Sequence, residues 1–346
     1  MSSPLATEAR AARLGWVPIT IGLASVVAVA TLGATTGAAG LDPVSVLGEM
    51  LDTIPGIAMD SGLSEVERSI LFEIRLPRVV LGGIVGSVLA VAGAAYQGVF
   101  RNPLADPYLL GVAAGAGLGA TLGFSLDGAS GLVALFALVG GLAAVLVTYA
   151  LGRSVGGRSP TSLILAGVAV AAFATALQTY LLQQNVETLR EVYSWILGRL
   201  VTVGWADVLE LLPYAAVATT VLFLSRRLLD VLSIGDDEAG ALGVDVRRVR
   251  AVVVIAATLA TAAAVSVSGL IGFVGIIVPH TVRLLFGWSY RAIVPLSMIF
   301  GASFLMLADV AARTLISPAE LPIGVVTAFF GAPFFLLVLR TMRGPA

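Results

Sequence analysis

The sequence predicts an all-α integral membrane protein with about ten transmembrane helices in a single domain, residues 1–346. Of the 346 residues, 58% are hydrophobic and only 12% are charged, and the mean hydropathy is +1.00. A soluble domain carries about 25% charged residues, so this chain lacks the polar surface of a soluble protein. Apolar segments of about the length that crosses a bilayer, near 20 residues, recur along the whole chain.

Ten apolar segments are predicted as membrane spans. They lie near 16–36, 79–98, 108–126, 130–151, 161–183, 207–224, 251–268, 270–285, 294–312 and 323–340. The first is too long for a signal-peptide core and further spans follow it, so we interpret it as a retained helix. Only Ser268 and Gly269 separate the seventh span from the eighth, which is short and rich in glycine and proline. These features predict that the eighth helix is broken.

The distribution of arginine predicts which ends of the spans face the cytoplasm. With the N-terminus inside, the cytoplasmic segments hold 14 arginines and the outer segments hold 6, and the chain has no lysine. The inner set is Arg10, Arg13, Arg101, Arg153, Arg158, Arg226, Arg227, Arg247, Arg248, Arg250, Arg283, Arg291, Arg340 and Arg343; the outer set is Arg68, Arg75, Arg78, Arg190, Arg199 and Arg313. Both termini are therefore predicted to be cytoplasmic, in the cytoplasmic (inner) membrane. Spans two to five and seven to ten then start on opposite sides, a layout that allows an inverted repeat.

The longest charged stretch, 226–250, separates the sixth and seventh predicted spans and faces the cytoplasm in this orientation. A loop between two spans needs only a few polar residues, whereas this one has the pattern of a short amphipathic helix. Apolar residues, an acidic cluster and a terminal glycine follow one another: Leu228, Leu229, Val231, Leu232, Asp236, Asp237, Glu238, Ala239, Leu242 and Gly243. The pattern favours a docking surface for a soluble partner, and a plain solvated loop is the alternative.

The residue types that are absent exclude several kinds of chemistry. The chain has no cysteine and one histidine, His280, which excludes disulfides, cysteine-ligated metals and multi-histidine sites. Without lysine it cannot form a Walker A loop, whose lysine contacts the nucleotide phosphates. We therefore expect no enzymatic activity, metal or cofactor in this chain. His280 lies at the inner end of the eighth span with no titratable neighbour in sequence, and we expect it to pack at a helix end.

Four motifs along the chain carry a family resemblance. They are Arg75-Leu76-Pro77-Arg78; Arg101-Asn102-Pro103-Leu104-Ala105-Asp106-Pro107 with Leu110-Gly111; Gly269 to His280 with Arg283; and Pro318 to Gly324 with Gly331 to Phe335. Together with Gly235 to Ala239 and Leu242-Gly243, they resemble the FecCD family of ABC-importer permeases. Each motif is weak alone, but their order and spacing fit that family from about residue 70 to the C-terminus. The family imports ferric siderophores, haem and cobalamin.

The resemblance implies a type II ABC-importer permease fold and a defined set of partners. Two copies of the chain would form a homodimer in membrane lipid, with two cytoplasmic ATPases holding ATP and Mg and an extracytoplasmic substrate-binding protein; nucleic acid is not expected. The coupling element that enters the ATPase would lie around 233–244. Its residues would be Ser233, Gly235, Asp236, Asp237, Glu238, Ala239, Leu242 and Gly243.

The resemblance also implies that outer arginines dock the binding protein, and Arg75, Arg78 and Arg313 match those motif positions. Arginine suits bidentate recognition of carboxylates. Pairing within the chain, for example with Glu73 or Glu320, is the alternative. Asp309 lies four residues before Arg313, so the two share a helix face and are expected to form an ion pair rather than a proton relay.

Polar residues near the spans suggest a lining for the pathway. The candidates are Gln97, Gln178, Gln183 and Gln184. A ferric siderophore is the first expectation for the substrate, with cobalamin or haem as alternatives. A proton- or sodium-coupled transporter is the alternative class, but it predicts several carboxylates in the spans and Asp309 is the clear one. A channel would show a filter or a charged ring, and neither is visible.

Overall fold

The computed structural model describes residues 15–37, 40–53, 61–127, 132–154, 160–200 and 204–342. Ten helices in these ranges match the ten predicted spans to within five residues at each end, except that α9 ends ten residues later than predicted. They are α1 Trp16–Thr35, α4 Leu76–Phe100, α5 Val112–Asp127, α6 Leu132–Ser154, α7 Pro160–Gln184, α9 Ala206–Ile234, α11 Val246–Ser268, α12 Val274–Phe286, α13 Tyr290–Thr314 and α14 Ile323–Met342. Seven apolar helical segments of the described chain are long enough to cross a membrane, and the shorter apolar segments are Val112–Leu126, Val274–Phe286 and Ile323–Val338.

Helix α4 lies at the centre of the bundle and packs against α9, α11, α12 and α13. Glycines allow the closest approaches. A Cβ built on Gly93 would lie 2.0 Å from the Gly275 carbonyl oxygen of α12, and one on Gly86 would lie 2.2 Å from the Gly301 oxygen of α13. Small residues at such crossings let helix backbones pack directly in a membrane. Gly93 and Gly275 therefore allow α4 and α12 to pack directly against each other.

The prediction that the eighth helix is itself broken is wrong, because α12 is continuous from Val274 to Phe286; the break lies between α11 and α12, and a similar break lies between α4 and α5. In the first break, α11 ends at Ser268 and α12 begins only at Val274, after Phe273 at φ +68°. In the second, α4 ends at Phe100, the following Arg101 has φ +51°, and a 3₁₀ turn, Pro107–Leu110, precedes α5. Each group of four helices thus starts with a long buried helix, a non-helical segment and a short helix, which supports the inverted layout.

The two non-helical segments meet in the interior of the bundle. The Tyr108 hydroxyl donates to the Ile271 carbonyl and accepts from the Ile271 amide, at 3.0 Å each. Pro107 lies beside Gly275 of α12. Irregular backbone at membrane depth is tolerated where protein surrounds it and its polar groups are paired, and this contact provides that pairing.

Short helices cover the face predicted to be extracytoplasmic. They are α2 Pro43–Asp52, α3 Glu65–Ser69, a π-helical turn Ile70–Arg75 that runs into α4, and α8 Leu189–Ile196. Helix α8 lies between the fifth and sixth predicted spans. Asp42 caps α2, and Ser64 and Glu67 form a capping box at α3. Hydrogen bonds from the Ser45 backbone amide and hydroxyl lower the pKa of Asp42.

The charged stretch 226–250 is not a loop throughout, which corrects its predicted boundaries. Helix α9 continues to Ile234, a short helix α10 spans Asp236–Ala241, and α11 begins at Val246. The apolar residues between 228 and 232 therefore extend α9 instead of forming a separate amphipathic helix, because no glycine or proline lies between Pro213 and Gly235. Arg10, Arg13, Arg158 and Arg343, which were used to predict the orientation, lie outside the described residues.

Candidate functional site

The candidate coupling segment, 233–244, forms a compact turn at the end of α9. Gly235 separates α9 from α10, and Gly243 closes the turn at φ +82°, a conformation that favours glycine. The Val244 amide donates to the Ala239 carbonyl at 3.1 Å. Ala239 is fully buried in the main core, so the segment is packed against the bundle.

The outward face of the coupling segment is both acidic and apolar. Asp237 and Glu238 are exposed, while Leu242 is 67% exposed and Ile234 is 63% exposed. Ser233 is exposed, and its hydroxyl donates to the Asp230 carbonyl. Exposed apolar side chains next to carboxylates fit an interface with a partner better than a solvated loop, since a soluble surface gains nothing from them. The predicted coupling residues thus lie together, with Gly235 and Ala239 forming the packed side.

Asp236 differs from its two acidic neighbours because it is bound within the chain. Its carboxylate pairs with Arg250 of α11 at 2.9 Å and with Arg101 at the end of α4 at 3.5 Å. The Arg250 side chain is largely buried, so this bridge is shielded on one side. Asp236 therefore attaches the coupling segment to two central helices, whereas Asp237 and Glu238 remain available to a partner.

A second connection joins the end of α9 to the turn between α12 and α13. The Asp230 carboxylate accepts hydrogen bonds from the Ser289 hydroxyl and the Tyr290 amide and pairs with Arg291 at 3.3 Å. The sequence offered no signal for this contact, because its partners lie about 60 residues apart in the chain.

This network continues into the core through Arg283. Its guanidinium donates to the Tyr290 hydroxyl at 3.3 Å and to the Gln97 side-chain carbonyl at 3.0 Å, and it lies 5.3 Å from the Trp288 ring centre. Gln97 in turn donates to the Gly275 carbonyl at 3.0 Å. The neighbouring His280 is buried and packs edge-on against Phe334 at 6.0 Å, which confirms the predicted packing. His280 lies in the middle of α12, however, and not at a helix end as predicted.

On the opposite face, four charged residues form an outer cluster: Arg78, Asp309, Arg313 and Glu320. Arg78 donates to Asp309 at 2.9 Å and makes two bonds to Glu320, at 3.1 and 2.9 Å. The predicted ion pair of Arg313 with Asp309 is confirmed at 3.0 Å. Asp309 is thus held between two arginines, and the exposed member of the cluster is Glu320, whose side chain is 45% accessible.

Arg75 and Arg313 stabilise the end of α1. Arg75 donates to the carbonyls of Ala34 and Thr35 at 2.9 Å, and Arg313 donates to the Thr36 carbonyl at 2.8 Å. A cation suits the C-terminal carbonyls of a helix. Their exposure is only 4% and 9%, so direct docking by these two residues is corrected to a capping role in this conformation. Arg78 keeps partial exposure, and its docking role stays a prediction.

The four glutamines predicted to line a pathway do not lie together. Gln97 is 1% exposed and is bound inside the inner network, so it lines no pathway in this conformation. Gln178 is also buried, and its amide donates to the Thr121 hydroxyl at 3.1 Å. Gln183 and Gln184 are exposed at the outer end of α7, and of the four they are the ones that stay available to a solute.

Comparisons with known proteins agree along most of the chain. The sequence model of the FecCD transport family matches residues 20–341. The uncharacterized ABC transporter permease protein YvrB of Bacillus subtilis is 42% identical over 80% of this chain and 80% of the relative. The cobalamin import system permease protein BtuC of Halobacterium salinarum is 41% identical over 81% of this chain and 75% of the relative. A solved inward-facing structure of a metal-chelate type ABC transporter superposes with a TM-score of 0.81 at 29% identity, covering 93% of this chain and 99% of the other.

Proposed function

This chain belongs to the FecCD transport family, and on that basis we propose that it is the permease subunit of an ATP-driven importer of metal chelates. Its relatives are ABC transporter permeases, and the permease is the membrane-spanning component rather than the ATPase. The proposed cargo is a ferric siderophore, with cobalamin or haem as alternatives. The proposed location is the cytoplasmic membrane, with both termini inside.

The observation that carries this proposal is the coupling segment. It presents Asp237, Glu238 and Leu242 outward while Asp236 ties it to α4 and α11. A partner that moves this segment would therefore move the central helices with it. In the proposed cycle, ATP binding closes two partner ATPases, and the coupling segments of two permease copies follow that motion.

The network at the end of α9 extends this coupling to the second helix group. Asp230 is bonded to the turn between α12 and α13, and Arg283 and Gln97 join that turn to α4. Motion at the cytoplasmic face would reach the glycine crossing of α4 and α12, where the two groups of helices contact each other. We infer that this crossing is displaced when access switches from one side to the other.

The outer cluster supports a docking surface for a substrate-binding protein. Arg78 and Glu320 reach the surface from α4 and from the segment before α14, and Asp309 holds Arg78 from below. Charged rims of this kind steer partners and fix their register. We propose that Arg78 and Glu320 contact the partner and that Arg75 and Arg313 support the surface from beneath.

The contacts of Asp309 do not support secondary transport. Asp309 lies within the predicted ninth span, and both of its oxygens face arginine side chains at 2.9 to 3.0 Å. A proton or sodium relay needs a carboxylate that exchanges partners during the cycle. The geometry instead fits a structural ion-pair cluster.

Uptake into proteoliposomes tests the proposal. They would contain this chain with the ABC ATPase and the binding protein encoded beside it, and would receive a ferric siderophore, haem and cobalamin in parallel. We expect uptake of one chelate class that requires ATP on the ATPase side. Uptake that ignores ATP and follows an imposed proton or sodium gradient would contradict the proposal.

A further inference from the structure

Four arginines surround a cavity of about 250 Å³ at the end of the bundle predicted to be cytoplasmic. Arg153 comes from the last turn of α6, and Arg247, Arg248 and Arg250 come from the first turn of α11. Tyr149 and Ala251 form part of its wall. We call this cavity the basic pocket.

The arginines of the basic pocket differ in how they are neutralised. Arg250 pairs with Asp236, and Arg248 pairs with Asp245 at 3.0 Å. Arg153 lies over the Tyr149 ring at 5.6 Å, and within the described part of the chain neither it nor Arg247 has an acidic partner. The adjoining residues 155–159, which lie outside that part, include no acidic residue. Arg153 and Arg247 therefore give the pocket two positive charges that an anion could neutralise.

An apolar groove continues from the basic pocket along the outside of α6 and α11. It has a volume of about 360 Å³, shares Tyr149 and Ala251 with the pocket, and reaches Leu142 on α6 and Thr258 on α11. From Ala251 to Thr258 the groove runs about 10 Å along the helix axis. Its apolar walls are exposed in the single chain, since Leu146 is 69% exposed and Ile255 is 65% exposed.

We propose that the pocket and the groove together bind one anionic phospholipid of the cytoplasmic leaflet. The headgroup phosphate would lie between Arg153 and Arg247, and one acyl chain would follow the groove between α6 and α11. Basic pockets between transmembrane helices on the cytoplasmic side suit anionic headgroups. The continuous apolar groove distinguishes a lipid from a free phosphate or an acidic protein surface, because only a lipid fills both parts.

The site has a consequence for coupling. Arg250 borders the pocket and also holds Asp236 of the coupling segment. A bound phosphate would compete with Asp236 for the Arg250 guanidinium, unless Arg153 and Arg247 together neutralise the phosphate. Anionic lipid is therefore placed to influence how firmly the coupling segment is attached to α11.

The test is lipid retention by the full-length chain. The wild-type chain and the variants Arg153→Gln, Arg247→Gln and Ala251→Phe would be purified from nanodiscs of mixed phosphatidylglycerol and phosphatidylcholine, and bound lipid would be counted by native mass spectrometry. Each arginine removed is expected to weaken phosphatidylglycerol binding about fivefold. Ala251→Phe keeps every charge but narrows the junction of pocket and groove, so it should also lose the lipid.

Arg340→Gln is the matched control, because Arg340 is an exposed arginine of the last turn of α14 outside the pocket. It should retain lipid as the wild type does. Equal retention of phosphatidylglycerol by all variants would overturn the proposal. Loss of ATPase binding with unchanged lipid retention would also overturn it and would assign the arginines to the ATPase.

Discussion

The Tyr108 hydroxyl is hydrogen-bonded to both the amide and the carbonyl of Ile271, at 3.0 Å each. This side chain satisfies a peptide group in a segment where neither α11 nor α12 provides helical hydrogen bonds. Two non-helical segments, one from each group of four helices, are thereby joined at a single residue pair.

Tyr108→Phe should therefore destabilise the fold. It leaves the Ile271 amide and carbonyl without their partner, and an unpaired buried polar group costs about 1–3 kcal/mol. We expect a lower thermal midpoint in detergent. Tyr180→Phe, on an exposed tyrosine of α7, is the control and should leave the midpoint unchanged; an equal midpoint for Tyr108→Phe would refute the role of this contact.

Replacing Asp237 and Glu238 with alanine should abolish ATP-driven uptake while the chain still inserts into the membrane. Both carboxylates are exposed on the coupling segment, so their loss removes a contact with the partner and no packing. Uptake and ATPase pull-down would be measured together. Glu187→Ala with Glu191→Ala removes two exposed acids on the opposite face and should retain uptake.

Asp236→Ala is expected to act differently from its neighbours. Because Asp236 pairs with Arg250, the substitution should loosen the attachment of α10 to α11 by about 0.5–1 kcal/mol. A double-mutant cycle with Arg250→Ala, read from thermal midpoints, measures this coupling. Additive effects of the two substitutions would mean that the ion pair contributes nothing to the attachment.

Asp309→Asn should be among the most destabilising conservative substitutions in the chain. It leaves Arg78 and Arg313 without their shared carboxylate, and removal of one partner of a buried pair costs about 3–5 kcal/mol. Glu320→Gln removes a carboxylate that is 45% accessible and should cost less than about 1 kcal/mol. The thermal midpoints of the two variants would show which substitution destabilises the fold more. A lower midpoint for Glu320→Gln than for Asp309→Asn would exclude the buried cluster as a stabilising element.

Gly93→Ala should disrupt the crossing of α4 and α12. Its Cβ would lie 2.0 Å from the Gly275 oxygen, a backbone atom that cannot move aside without shifting the helix. This clash exceeds the gain of about 0.5–1 kcal/mol that alanine brings to a helix interior. Gly272→Ala is the control, since nothing lies within 4 Å of its Cβ. Similar yields of folded protein for both variants would contradict the close packing.

Long-range apolar patterns predicted most of the architecture. The spans followed from hydropathy, and the glycine content of the segment before α12 indicated a break there, although the break was placed inside the eighth helix rather than before it. The ion pair of Asp309 with Arg313 was predictable because a spacing of four residues on a helix sets the geometry locally. The C-terminal end of α9 was predicted wrongly as part of a loop. A pattern of apolar and charged residues is compatible both with the continuation of a helix and with a new helix.

The roles of the site residues were harder to predict, because the burial of each side chain depends on neighbours that are distant in sequence. Arg75 and Arg313 were predicted as outer contacts, and the carbonyls of α1 that bind them lie about 40 and 277 residues away. Gln97 is polar within a span, which suggested a pathway, but Arg283 and Gly275 satisfy it inside the bundle. Only the packed helices bring these partners together.

The sequence by itself determined that this chain is a membrane protein, where its spans lie, which family it resembles and which segment carries the acidic cluster. These properties follow from composition, local periodicity and motif order. The tertiary structure decided which charges are free and which are bound, that Asp236 anchors while Asp237 and Glu238 remain exposed, and that a basic pocket opens into an apolar groove. Pairing of charges and the shape of cavities arise from contacts between distant segments, whose energies depend on burial that a linear pattern does not specify.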